Sequence, residues 1–65
     1  KKSLLFRRSL YIVKDLCSGD TLDESNMRSI RPGLGLSPKY YENVLGKKVR
    51  KAIKRGTAVT WDLME

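Results

Sequence analysis

Apolar residues fall in short clusters along the chain, each closed off by glycine, proline or a polar turn. Ser9–Val13 is rich in β-formers and reads as a strand. Ser18-Gly19-Asp20 forms a turn, Thr21-Leu22 a short extended piece, and Asp23 caps one helical turn through Glu24, Ser25, Asn26 and Met27. Arg28–Arg31 is extended again before the breaker-rich Pro32-Gly33-Leu34-Gly35. Ser37-Pro38 opens the one short helix, near 38–45, because serine caps well, proline is tolerated at the first helical position, and Gly46 supplies the stop. Within it Tyr41, Val44 and Leu45 make a single apolar stripe.

Lys48–Ile53 fits a helix face as well as a strand, and an internal repeat decides between them. With Gly19 set on Gly56, an offset of 37, Ile12 falls on Val49, Lys14 on Lys51, Leu16 on Ile53 and Leu22 on Val59. One deletion then brings Asn26 onto Asp62 and Met27 onto Leu63. Each half reads apolar-x-Lys-x-apolar-x-x-Gly-x-x-apolar, then a polar cap and a helical turn. Two strand–turn–strand–turn units joined by the Pro/Gly stretch predict a small, mainly β fold with pseudo-twofold symmetry. Residues 1–8 form a linker or edge strand, and residues 9–65 the domain.

At 65 residues this is one domain, and a chain of that size buries only about 60% of the surface it exposes unfolded. A core and a substrate-enclosing cleft compete for the same few residues, and the start at Lys1 suggests a piece of something longer. There is no histidine, which removes the commonest general base and metal ligand. Cys17 stands alone, so no intramolecular disulfide and no Cys-rich zinc site is available; the free thiol suits a reducing, cytoplasmic setting and reads as a small core residue or a bystander. No apolar run nears the roughly 20 residues of a membrane span. Catalytic residues and metal ligands are therefore expected to be absent from this chain.

The net charge is +7. Arg7 and Arg8 follow Lys1 and Lys2, and residues 47–55 hold Lys47, Lys48, Arg50, Lys51, Lys54 and Arg55. Such runs attract anions, or else they are simply solvated faces. The carboxylates Asp20, Asp23, Glu24 and Asp62 sit in turns and caps without an acid/base pair. Tyr41 and Trp61 suit the core or a domain contact.

Arg31–Pro38 ("RPGLGLSP"), Leu45–Val49 ("LGKKV") and the paired turns "SGDTL" and "RGTAV" occur together in one order. In that arrangement, Ser9 to Met64 resembles the SAF, or antifreeze-like, domain that closes the C-terminus of bacterial nonulosonic-acid synthases, the sialic-acid synthase family. "RSIRPG", "PKYY" and "KRGTAVTWDL" look most like the pseudaminic acid branch, with the sialic and legionaminic branches next. The resemblance implies a pretzel-like SAF/β-clip fold of the type III antifreeze kind. It implies a separate N-terminal (β/α)8 barrel, holding a divalent metal (Mn or Mg), that condenses phosphoenolpyruvate with an N-acylated amino sugar. It also implies a domain-swapped homodimer, in which this domain lids the other subunit's barrel and one arginine touches the sugar's N-acyl group.

That arginine matches Arg31, immediately before Pro-Gly. A residue before proline is pushed towards extended geometry, Pro32-Gly33 favours a type II turn, and the guanidinium would then stand out as a fixed fork of donors. Tyr40 would face the barrel. Gly33 and Gly35 read as permissive loop positions. Three other functions compete. The basic run could serve nucleic acid, but aromatics do not alternate with it for stacking. An ice-binding face would have to contain Lys14, Asp20, Asp23 and Glu24, whose hydration opposes it. An assembly-chaperone SAF domain is the third.

Overall fold

A computed structural model describes residues 6–65. The expectation for the first part of the linker lies outside them, and Phe6–Arg8 enter as an irregular segment rather than an edge strand. Two four-residue strands follow, β1 (Ser9–Ile12) and β2 (Met27–Ile30), paired antiparallel with Ser9 opposite Ile30 and Ile12 opposite Met27. All of β1 is buried, because β2 flanks one edge and a bridge from Tyr11 to Ala58 flanks the other. β2 is an edge: Met27 faces the core, while Arg28 and Ile30 are exposed. The expected helix is a 3-10 turn, Pro38–Tyr40, running directly into α1 (Tyr41–Val44). The Ser37 side chain accepts from the Lys39 N–H at 3.3 Å, and of the predicted stripe Val44 is fully buried while Tyr41 and Leu45 pack against the core.

The halves are related as the repeat predicts. Tyr11 bridges Ala58 in one half, and Lys48 bridges Thr21 in the other, which is the same pair shifted by the repeat. Ile12 N–H donates to the Thr57 carbonyl at 2.9 Å, and Val49 N–H to that of Asp20 at 2.9 Å. The closing turns match as well, since Gly19 and Gly56 have φ of 94° and 93°. Side-chain Cβ atoms are disfavoured there, which is why both turns carry glycine.

The deletion placed after Leu22 is not present. Ile12 pairs with Met27 and Val49 bridges Met64, while Val13 N–H donates to the Asn26 carbonyl and Arg50 N–H to that of Leu63. Met27 therefore corresponds to Met64, and Asn26 to Leu63, with the offset unchanged. Polarity misled the alignment: Asn26 is a buried polar residue whose amide donates to the Thr21 carbonyl and accepts from Asp23 N–H, both at 3.0 Å. Those bonds let an asparagine occupy a position that its counterpart fills with leucine.

Leu10, Ile12, Leu22, Met27, Val44, Val49 and Val59 are the most deeply buried apolar side chains, and they come from both halves and from α1. The core is a seam where the two units meet.

Candidate functional site

Arg31 immediately follows β2, and its Nε–H donates to the Phe6 carbonyl at 2.7 Å. Two residues away along each segment, Arg8 Nη1 donates to the Ser29 carbonyl at 3.1 Å. The entering segment and the end of β2 are thus laced together by arginine side chains. Arg8 and Arg31, with Arg7, Gly33, Gly35, Ser37 and Pro38, line a surface cleft of ≈ 430 Å³.

The floor of this cleft is set from β1. Ser9 is buried, its hydroxyl donates to the Pro32 carbonyl at 3.0 Å, and its oxygen accepts from Gly35 N–H at 3.0 Å. A Cβ on Gly35 would lie 2.7 Å from the Leu10 carbonyl oxygen and 3.0 Å from the Val59 N and O atoms. Gly35 is therefore a close-packing glycine, required by the backbones of both halves, and not merely a permissive loop residue. The expected type II turn at Pro32-Gly33 does not form. It needs a positive φ at Gly33, which Gly33 lacks; the Arg31–Pro32 peptide is cis, and Leu34 N–H closes onto the Pro32 carbonyl at 2.9 Å. Ser9, rather than the turn's own sequence, holds the loop.

Arg31 is exposed, as expected, but its guanidinium is not free. One donor is spent on Phe6, which fixes the plane of the fork, and among the described residues the terminal nitrogens have no hydrogen-bond partner. Arg7 and Arg8 share the cleft with it, a role missed when they were read as linker. The cue was present in their charge, but only the fold brings residues 7–8 beside residue 31.

A second cleft of ≈ 430 Å³ lies between Glu24, Met27, Arg28, Ser29, Pro38 and Tyr41. It balances one acid against one base and carries no net demand for an anion. The 47–55 run is exposed apart from Lys47, Val49 and Ile53, and carboxylates are set into it. The Asp15 carboxylate accepts from Arg55 N–H at 2.9 Å. Asp62 is held below its usual titration range by the Thr60 hydroxyl, with smaller help from Lys51 and Arg50. The hydroxyl and N–H of Ser25 do the same for Asp23, and the Asp20 carboxylate accepts from Cys17 N–H at 2.8 Å. These acids serve turns and caps. Cys17 is exposed, so the core reading fails and the bystander reading stands.

Trp61 is 48% exposed and is not a core residue; Tyr40 meets it edge-on at 5.4 Å between ring centroids while also packing on the core. Tyr40 thus has an intramolecular partner. Among the described residues no group of three or more His, Cys, Asp or Glu side chains gathers. Among them, too, no helix is long and apolar enough to cross a membrane.

The SAF domain family model matches residues 7–65. A pseudaminic acid synthase of Helicobacter pylori is 42% identical over 65 residues, covering 100% of this chain and 19% of that protein. A pseudaminic acid synthase of Campylobacter jejuni is 48% identical over 58 residues, covering 89% of this chain and 17% of its own length. Among solved structures, an antifreeze protein like domain in human N-acetylneuraminic acid phosphate synthase superposes with a TM-score of 0.80 at 19% identity. The match covers 88% of this chain and 73% of that one, and it fixes the likeness of fold.

Proposed function

Because the chain belongs to the SAF domain family, with small, mainly β, antifreeze-like architecture, we propose that it is the substrate-facing cap of a nonulosonic-acid synthase of the pseudaminic acid type. The chain spans about a fifth of the length of these bacterial relatives, and on this reading the chemistry belongs to a separate catalytic domain. That domain, a metal-bearing barrel of the other subunit in a swapped homodimer, condenses phosphoenolpyruvate with an N-acylated amino sugar in the cytoplasm. The cap excludes water and offers Arg31 to the sugar. The observation that carries this reading is the guanidinium of Arg31, anchored through Nε on Phe6 and presenting its remaining donors at the rim of a cleft. A fork already fixed in one plane loses little freedom when a carbonyl oxygen arrives.

The test is kinetic and uses the full-length enzyme. A hydrogen bond from a charged donor is worth about 1.5–3 kcal/mol, so Arg31→Ala should lower kcat/KM for the amino sugar roughly ten- to a hundredfold. KM for phosphoenolpyruvate should stay near its wild-type value, and Arg31→Lys should recover only part of the loss. Removing the sugar's N-acyl group should shrink the difference between wild type and variant. Normal kinetics in Arg31→Ala would leave the domain as a passive lid. The 65-residue chain alone should release no phosphate from phosphoenolpyruvate with the sugar and Mn²⁺.

A further inference from the structure

Three arginines meet at one cleft, which is more positive charge than a neutral amide oxygen requires. No carboxylate lines the cleft among the described residues. Two of the three guanidinium groups are already fastened, Arg31 to the Phe6 carbonyl and Arg8 to the Ser29 carbonyl. Each keeps N–H groups to spare, and a guanidinium presents five donors in a planar fork matched to carboxylate or phosphate oxygens. Neighbouring cations repel one another, so the arrangement gains most when an anion enters. The loop beneath is held by Ser9 and cannot rise easily, because Gly35 already touches the backbones of Leu10 and Val59.

We infer that the Arg7–Arg8–Arg31 cleft is an oxyanion-binding site, which takes a small carboxylate or phosphate in addition to anything Arg31 donates to a sugar. The inference rests on the cleft's own charge and geometry, and extends the capping reading by giving Arg7 and Arg8 a ligand. Being solvent-exposed, the site should bind weakly, with a Kd of roughly millimolar order at low salt.

The experiment is a titration of the ¹⁵N-labelled 65-residue chain, followed through its backbone amide and arginine Nε–H signals. The probes are pyruvate, inorganic phosphate and, as an uncharged control, acetamide. Saturable shifts at Gly33, Gly35, Ser37 and the Arg8 and Arg31 Nε–H groups are expected with an anion and not with acetamide. The tighter of the two anions names the source: pyruvate a carboxylate ligand, phosphate a phosphoryl group. Arg7→Gln, which removes no hydrogen bond among the described residues, should weaken binding several-fold, and Arg7→Gln with Arg8→Ala at least tenfold. Lys51→Ala with Lys54→Ala removes the same charge elsewhere and should leave the affinity within twofold. Equal weakening by the lysine pair, or shifts spread along residues 47–55, would show diffuse charge attraction and overturn the site, as would no saturable shift with either anion. The capping reading stands or falls separately, on the sugar kinetics of the full-length Arg31→Ala enzyme.

Discussion

Leu16 and Ile53 each donate a backbone hydrogen bond to the other, at 2.8 and 2.9 Å, and they are counterparts in the internal repeat. A residue paired with its own equivalent marks the local twofold axis, which therefore passes between these two. The pairs on either side, Tyr11 with Ala58 and Thr21 with Lys48, exchange under it.

The glycines at equivalent turns should respond equally to a side chain. Gly19→Ala and Gly56→Ala have open space around the new methyl but a φ near +94° and +93°, so the cost is conformational, about 1–2 kcal/mol each. Gly35→Ala should cost more, about 3 kcal/mol, because its Cβ meets backbone atoms that cannot rotate away. Urea melts of the three variants decide the order; a Gly35→Ala as stable as wild type would contradict the close packing.

Tyr11 should tolerate losing its hydroxyl. The ring is buried in β1, and its oxygen is enclosed without a hydrogen-bond partner among the described residues. An unsatisfied buried hydroxyl costs about 1–3 kcal/mol, so Tyr11→Phe should raise stability or leave it unchanged. A loss above about 1 kcal/mol in thermal or urea melts would point to a water held against that oxygen.

Acid should destabilise the domain late. Asp23 and Asp62 have folded-state pKa values below the unfolded ones, through the hydroxyls of Ser25 and Thr60. Their contribution is present above the unfolded value and is lost as pH falls through the folded value. With no histidine in the chain, melts should be flat from about pH 7 to 5 and fall below about pH 4. Asp23→Asn with Asp62→Asn should flatten that acid limb, and an unchanged limb would assign it to other carboxylates.

Oligonucleotides should bind poorly. The 47–55 run is interrupted in space by Asp15 and Asp62, and its own sequence contains no aromatic residue. Binding of single-stranded or duplex DNA at physiological salt should be weak and independent of sequence; submicromolar affinity would favour a nucleic-acid module.

Local chemistry was readable wherever it acted locally. Ser37-Pro38 and Gly46 bound the helical segment, and Gly19 and Gly56 announce turns, because capping and φ preferences depend on near neighbours. What escaped depends on distant residues. The Pro32 loop takes its shape from Ser9, Asn26 is tolerated in the interior through Thr21 and Asp23, and Arg7 and Arg8 acquire a shared cleft only when β2 lies beside them. Trp61 is a case of composition misleading: a large aromatic in a small domain suggests burial, yet it stays half in solvent against Tyr40.

The bridges along the axis also govern how the chain can fold. Each of the three joins one half to the other, so none can form until a long loop has closed, and loop closure is an entropic cost met before any pairing offsets it. Each half has only its short local pairing, Ile12 with Met27 and Val49 with Met64, while the hydrogen-bonding partners of Leu16 and Gly19 lie across the axis at Ile53 and Val49. The domain should therefore cross its barrier in one concerted step, on the millisecond-to-second scale of strongly non-local β folds. Its two repeats are a matched pair in which each supplies the template for the other.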